Sequence, residues 1–167
     1  MQMRSKTEVD WMDNVLALTI AGAFACSGLA YAESETEKEV KQTILEANEY
    51  TVKNLTGRAD DYSQLGALEF WSSGGLLQEI QPGGRQEPFE VFSIEVKHLK
   101  VITLVEGQAA VAHYYSEGSM KPKGSPSVNH YLTRVSQVLV KENGKWKIRS
   151  SHWSPVAGGS GTTQTTQ

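Results

Sequence analysis

Arg134 and His152 are the two side chains of this sequence that best suit recognition or conversion of a small molecule. Arg134 lies within a run of strand-forming residues, and a permanent charge there needs an anionic partner if it faces the interior. Its planar guanidinium suits a carboxylate. His152 lies near the end of the last such run, where a histidine can bind a ligand or exchange a proton near neutral pH. Simpler roles are a pair between Arg134 and a strand neighbour such as Glu117, and a hydrogen bond at a strand end for His152.

Acidic and tyrosine side chains supply a weaker set of candidates. Asp60 and Asp61 are acids close to the expected pocket, and Tyr50 can donate a hydrogen bond from a helix. An enzyme would use His152 or an aspartate, with Asp61 among the candidates, as a base and Tyr50 or Tyr114 as a donor. The sequence contains no HExxH, CxxC, glycine-rich phosphate loop or GxSxG motif. We therefore expect neither a metal nor a cofactor.

Alternation of side chains along a strand assigns the candidates to sheet faces. In residues 108–117, one face carries Ala110, Ala112, Tyr114 and Ser116. In the next strand, one face carries Leu132, Arg134, Ser136 and Val138. In the last strand, one face carries Trp146, Ile148, Ser150, His152 and Ser154. We expect the ligand to be bound by Arg134, Tyr114, His152 and Ser116.

A long helix is predicted to open the folded part of the chain. Ser34 and Glu37 have the spacing of a capping box, and apolar residues then recur along one helical face. Gly57 is a natural stop, so we predict a helix over residues 35–55. A second, short helix is expected from Asp60 or Asp61 to about residue 68.

Strands dominate the rest of the sequence. Glycine pairs bracket a short strand at residues 76–81, and residues 87–93 are expected to form helical turns. From Ile94 onward, four runs predict an antiparallel meander, with Asn143–Gly144 as its last hairpin turn. The predicted fold is α+β: a cone-shaped curved antiparallel sheet wrapped on a long N-terminal helix, a cystatin-like α+β roll. The hollow between helix and sheet is the expected ligand site.

Residues 1–32 are predicted to be a secretory signal peptide. Arg4 and Lys6 precede an apolar run, and Ala30 and Ala32 occupy the −3 and −1 positions of a small-residue cleavage site. The segment before the apolar run is long and contains acids, so an uncleaved anchor is the competing interpretation. Translation from Met12 instead of Met1 also stays open.

The amino-acid composition limits the cell compartment and the classes of partner that we expect for this protein. The single cysteine, Cys26, lies inside the predicted signal, and export without disulfides favours a bacterial periplasm over a disulfide-stapled secreted domain. The formal net charge is −3 and no basic face is evident, so we expect no nucleic-acid partner and no membrane contact after signal cleavage. Residues 33–156 are expected to form one domain and residues 157–167 a disordered tail.

Four short segments carry a family resemblance. They are Ala109–Ala110, Thr133–Arg134–Val135, Asn143–Gly144–Lys145–Trp146 and His152–Trp153–Ser154. Together they resemble the nuclear transport factor 2-like superfamily, above all its SnoaL-like branch. They are also similar to the association domain of calcium/calmodulin-dependent protein kinase II. The resemblance covers the C-terminal half well and the first helix only by position.

The resemblance implies a cone-shaped fold that assembles as a homodimer. In the kinase association domain the matching arginine lines the pocket, which favours an inward Arg134. A second pocket arginine of that domain falls near Ser116, so strong anion selectivity is not implied. Ketosteroid isomerases of the superfamily use an aspartate base, a tyrosine and a second acid, which only Tyr50 and Asp60 or Asp61 match loosely. The fold hosts enzymes and binding modules alike, so it does not fix the activity.

Three functions therefore stay open. The preferred one is an exported domain whose partly apolar pocket binds a small molecule, for which a carboxylate anchored by Arg134 is one candidate. The second is a SnoaL-like or ketosteroid-isomerase-like enzyme (an isomerase, cyclase or dehydratase) with His152 or an aspartate as base and Tyr50 or Tyr114 as donor. The third is a dimeric interaction module. On the opposite sheet face, His113 and Tyr115 fit an oligomer contact better than metal binding or proton transfer.

Overall fold

The computed structural model of the chain describes residues 32–84 and 87–162. Its first element is the helix α1, Glu35–Asn54, which begins with the predicted capping box. The Glu37 N–H donates to Ser34 Oγ, and the Ser34 N–H donates to the Glu37 carboxylate. The helix ends because Leu55 adopts a left-handed conformation with φ 54°. Leu55, and not the predicted Gly57, is therefore the C-cap.

Six strands form one curved sheet with the order β2-β1-β6-β5-β4-β3. Their bounds are β1 Ala67–Phe70, β2 Gln78–Ile80, β3 Phe89–Val105, β4 Ala109–Pro122, β5 Val128–Glu142 and β6 Lys145–Pro155. Neighbouring strands are antiparallel, except that β1 runs parallel to β6. The predicted α+β fold, a curved sheet on a long N-terminal helix, is confirmed.

The sheet is curved because the register between neighbouring strands is interrupted. In β3 the pairing with β4 shifts between Lys97 and Lys100, where His98 has φ 54°. In β4 the pairing with β5 shifts after Gly118. A Cβ atom at Gly118 would lie 1.9 Å from the Ser93 carbonyl oxygen, so this position requires glycine. Because bulges bend a strand and increase its twist, the long strands wrap around α1 instead of lying flat.

Polar contacts fix α1 across the concave face of the sheet. Thr36 is buried and donates its hydroxyl to Glu106 Oε1 at 2.8 Å, in the turn between β3 and β4. Farther along the helix, Asn48 Nδ2 donates to the Ile94 carbonyl oxygen at 2.9 Å. The helix is therefore anchored near its start and again past its middle.

Two apolar clusters fill the space between α1 and the sheet. The larger one contains Val40, Ile44, Val101, Ala110, Ala112, Tyr114, Val135, Leu139 and Trp146. The smaller one contains Ile94, Met120, Val128 and Tyr131. The region between the clusters is only partly filled, and it holds the cavity described below.

Two predicted helices are corrected. The expected helix after Asp60 is limited to a 3-10 turn at Ala59–Asp61, and the chain then enters the sheet as β1. Residues 87–93 were expected to be helical, but Phe89 to Ser93 form the start of β3 and pair with the far end of β4. In both places a strand partner distant in sequence overrides the local preference.

Residues 157–162, the described part of the expected disordered tail, make backbone contacts with β5. The Ser160 N–H donates to the His130 carbonyl oxygen, and the Ser160 carbonyl oxygen accepts from the Leu132 N–H. A Cβ at Gly161 would lie 2.0 Å from the Ser72 carbonyl oxygen. The glycines of this tail therefore permit close packing. The predicted signal peptide lies outside the described residues except for Ala32.

Candidate functional site

A cavity of about 250 Å³ lies between α1 and the inner face of the sheet. Aromatic and aliphatic side chains form most of its wall, and the aromatic ones are Tyr62, Trp71, Phe89, Phe92, Tyr114, Tyr131, Trp146 and Trp153. The helix contributes Thr43, Ile44, Ala47, Asn48 and Thr51. A concave, mostly apolar space with a few polar groups is typical of a small-molecule site.

Glu69 is the buried carboxylate of this wall, with 6% of its surface exposed. The parallel pairing of β1 and β6 places it opposite Ser151, whose hydroxyl donates to Glu69 Oε1 at 2.5 Å. The Trp153 indole N–H donates to the same oxygen at 3.2 Å. The Trp71 indole N–H donates to Oε2 at 2.6 Å. All three donors are neutral groups.

Asp61 and Arg58 form an ion pair in another part of the wall. Arg58 Nε donates to Asp61 Oδ1 at 2.8 Å. Burial raises the pKa of Asp61, and the neighbouring Arg58 guanidinium opposes that rise. A carboxyl group in a cavity wall whose pKa is raised above its usual value is a candidate general acid or base.

Two buried tyrosines supply hydroxyl groups. Tyr114 donates to Gln137 Oε1 at 3.1 Å, and Tyr131 donates to Ser72 Oγ at 3.3 Å. Burial raises the pKa of both tyrosines, and the charge of Glu69 raises them further. Both phenols therefore stay protonated near neutral pH and act as donors.

The tail closes one side of the cavity. Thr162 lines it, and the Thr162 N–H and hydroxyl both lie 3.1 Å from Ser72 Oγ. Ser72 therefore joins Tyr131 on β5 to the tail. We call residues 157–162 the C-terminal strap.

The structure brings three of the predicted site residues into the cavity. Tyr114, Ser116 and Asp61 line it. Tyr50 is exposed on α1, where the Arg58 guanidinium lies 5.7 Å from its ring centroid. Whether Tyr114 and Ser116 bind a ligand stays a prediction.

The expected inward orientation of Arg134 is corrected. Its strand alternates as predicted, but the inner face carries Tyr131, Thr133, Val135, Gln137 and Leu139. Arg134 is exposed on the outer face, where Nε donates to Ser154 Oγ at 2.8 Å. Because the neighbouring Thr133 and Val135 are buried, Arg134 has to point away from the cavity.

The expected inward orientation of His152 is also corrected, and a β-bulge is the reason. Leu139 pairs with Ile148 and Val138 pairs with Ser150, which leaves Arg149 as an extra residue in β6. Past this bulge the alternation shifts by one residue. Trp153 therefore lines the cavity, while His152 is exposed and contacts the Phe70 ring edge-on.

Sequence reasoning missed Glu69 and Trp71. The expected short helix ended at about residue 68 and the residues after it were assigned to no element, so the alternating pattern, Ala67 and Glu69 inward with Leu68 and Phe70 outward, was not recognised. That alternation was the available signal. Within residues 32–84 and 87–162, no three acidic, histidine or cysteine side chains converge as metal ligands would.

The family model of the SnoaL-like domain matches residues 60–158. The matched range contains the whole sheet and most of the cavity wall. A comparison with curated proteins gives no match to this sequence. None of the helices in the described ranges is long and apolar enough to span a membrane.

Solved structures share the fold at low sequence identity. A proposed aromatic ring hydroxylase from Novosphingobium aromaticivorans has a TM-score of 0.54 and 16% identity, over 75% of this chain and 92% of its own. A nuclear transport factor 2-like protein from Pseudomonas putida has a TM-score of 0.50 and 17% identity, over 79% and 96%. The association domain of C. elegans calcium/calmodulin-dependent protein kinase II has a TM-score of 0.47 and 17% identity, over 72% and 99%.

Proposed function

The chain belongs to the family of SnoaL-like domains, and on that premise we propose that it binds a small molecule in the cavity between α1 and the sheet. The observation that carries this proposal is the cavity itself, about 250 Å³ of space inside an otherwise packed domain. An aromatic wall interrupted by a few oriented polar groups is what a ligand site needs.

A carboxylate ligand is no longer supported, because Arg134, its expected anchor, lies on the outer face of the sheet. Arg58 is the cationic residue among the described residues of the wall, and Asp61 already neutralises it. Hydroxyl and amide groups of Tyr114, Ser116 and Gln137 remain as polar partners. We therefore propose a largely apolar ligand that makes few hydrogen bonds, with Tyr114 and Ser116 among its contacts.

Native mass spectrometry of the full chain, purified gently from a bacterial host, tests this function. We expect a fraction of the protein to carry a small molecule that denaturation releases. The variant Ala47→Phe, which places a ring in the cavity, should lose that mass. Leu45→Phe is the matched control, because Leu45 is exposed on the same helix. Retention of the molecule by Ala47→Phe would contradict binding in this cavity.

An enzymatic function is the second candidate, and Asp61 is the observation that favours it. Its carboxyl group lies in the cavity wall and burial raises its pKa. In this alternative Asp61 acts as the acid or base and Tyr114 as a hydrogen-bond donor. Incubating the protein with extracts of small molecules and following their composition tests it. Turnover that is lost in Asp61→Asn while binding persists would favour the enzyme over the binding domain.

Export is part of the proposal and rests on the sequence pattern of residues 1–32. We expect bacterial expression to yield a periplasmic protein whose first residue is Glu33. N-terminal sequencing checks this directly. A membrane-bound product that begins at Met1 or Met12 would favour the uncleaved anchor instead.

A homodimer through the outer face of the sheet completes the proposal. Leu68, Phe70 and Tyr115 are large side chains exposed there. Burying them between two copies would be favourable. Light scattering should report a dimer, and Phe70→Glu should shift it toward monomer. A monomeric wild-type chain would contradict the assembly.

A further inference from the structure

The Glu69 carboxylate has no cationic partner among the described residues, and this is the starting point for the class of ligand. It is almost fully buried, and it accepts hydrogen bonds from Ser151, Trp153 and Trp71. Each of these donors is neutral, and each fits an ionised carboxylate, which can only accept. A buried charge is stabilised best by an opposite charge close to it.

A ligand in the cavity could supply the positive charge that stabilises Glu69. Glu69 is part of the cavity wall. Arg58, the cationic residue of the described wall, bonds to Asp61 and not to Glu69. A ligand in the cavity can therefore supply a counter-charge that the described protein residues do not.

The surrounding rings favour an organic cation over a metal ion. Trp71, Trp153, Tyr114 and Tyr131 line the cavity together with Glu69. Aromatic rings attract ammonium groups through their negative faces, and such cages recognise methylated amines. Metal ions need several oxygen, nitrogen or sulfur ligands, and the described residues offer no such group of acidic, histidine or cysteine side chains.

Two tyrosines line the cavity together with Glu69. The Tyr114 ring meets the Trp153 ring edge-on, with 6.1 Å between the centroids, and the Tyr131 hydroxyl donates to Ser72 Oγ. Burial is the main cause of the raised pKa values of both tyrosines, and the Glu69 charge adds a smaller part.

We propose that the cavity binds an organic cation, a protonated or quaternary amine, whose positive charge pairs with Glu69 among the rings of Trp71 and Trp153. This inference rests on the proposed binding function and adds the charge class of the ligand. It predicts that positive charge, at constant shape, raises affinity for the cavity.

Three probes of nearly equal shape test the inference on the full chain. They are choline, its neutral analogue 3,3-dimethylbutan-1-ol and the anion 3,3-dimethylbutanoate. Titrations at physiological salt are followed through the indole N–H signals of Trp71 and Trp153 in nitrogen-15 NMR spectra. We expect choline to bind at least about 10-fold more tightly than the alcohol and the anion to bind most weakly.

Substitution of Glu69 then tests whether its carboxylate causes the preference for choline over the neutral alcohol. In Glu69→Gln the advantage of choline over the alcohol should fall below about 3-fold. Glu79→Gln makes the same change in net charge at an exposed position of β2 and should keep the advantage. If Glu69→Gln does not fold, the wild-type ratio of the two affinities decides.

The outcomes separate this inference from the proposed function. If the alcohol or the anion binds as tightly as choline, or choline shifts neither indole signal, the cation inference is overturned. A retained molecule seen by native mass spectrometry, and lost in Ala47→Phe, would still support the binding function in that case. Retention of that molecule by Ala47→Phe would overturn the function itself.

Discussion

At Gly118 the backbone of β4 passes so close to β3 that a side chain has no room. The nearest obstacle to a Cβ is the Ser93 carbonyl oxygen, which is held in the strand ladder. We predict that Gly118→Ala lowers the free energy of unfolding by more than about 3 kcal/mol, because backbone has to move. Urea denaturation measures the change. Gly57→Ala, where a Cβ meets open space, should stay within about 0.5 kcal/mol.

The Glu142 carboxylate makes the stability of the folded protein decrease as the pH falls. Its carboxylate accepts from the Gln64 N–H at 2.8 Å and from the Ser63 hydroxyl at 2.5 Å, and these bonds lower its pKa. A lowered pKa in the folded state adds stability above the unfolded pKa, and the added stability is lost as pH falls through the folded value. Wild type should therefore lose its advantage over Glu142→Gln between about pH 5 and pH 3.

Chemical denaturation at several pH values checks this dependence. Glu79→Gln serves as the control, since Glu79 is exposed on β2. A difference between wild type and Glu142→Gln that stays constant from neutral to acidic pH would refute the assignment.

At the scale of the element, the end of α1 is not optimised for stability. Leu55 has φ 54°, a conformation that glycine adopts without strain, and its carbonyl oxygen accepts from the Phe89 N–H at 2.8 Å. Leu55→Gly keeps that bond, and we predict a gain of about 0.5 kcal/mol after the added freedom of the unfolded chain. Leu45→Gly, at an exposed interior position of the helix, should instead cost about 1 kcal/mol. Thermal unfolding measures both, and a loss of stability in Leu55→Gly would contradict the argument.

Elements with local signals were predicted correctly. Ser34 and Glu37 predict the start of α1, and Asn143–Gly144 predicts the turn of the last hairpin. β1 was missed because it is held by β6, about eighty residues away, and its own four residues carry little signal. The cavity residues followed the same division. Tyr114 and Ser116 face inward as predicted from an uninterrupted strand, whereas His152 lies past a bulge that depends on pairing.

At the scale of the whole molecule, the C-terminal strap connects β5 to the segment that follows β1. It pairs with the start of β5 and reaches Ser72 after β1. We predict that truncation after Val156 lowers the melting temperature by several degrees and speeds the release of a bound ligand, since Thr162 no longer closes the cavity. Thermal unfolding and native mass spectrometry measure the two effects. Removal of residues 163–167 is the control, and equal behaviour of the two truncations would contradict a role for the strap.

The extra residue at Arg149 also governs how this sequence should be matched to its relatives. The inner or outer position of each residue in β6 is set by its partner on β5, so a relative without the extra residue would keep the same cavity wall. Matching the two sequences then needs a one-residue gap at Arg149. Without that gap, His152 would be equated with a cavity residue of the relative, and Trp153 with a surface residue.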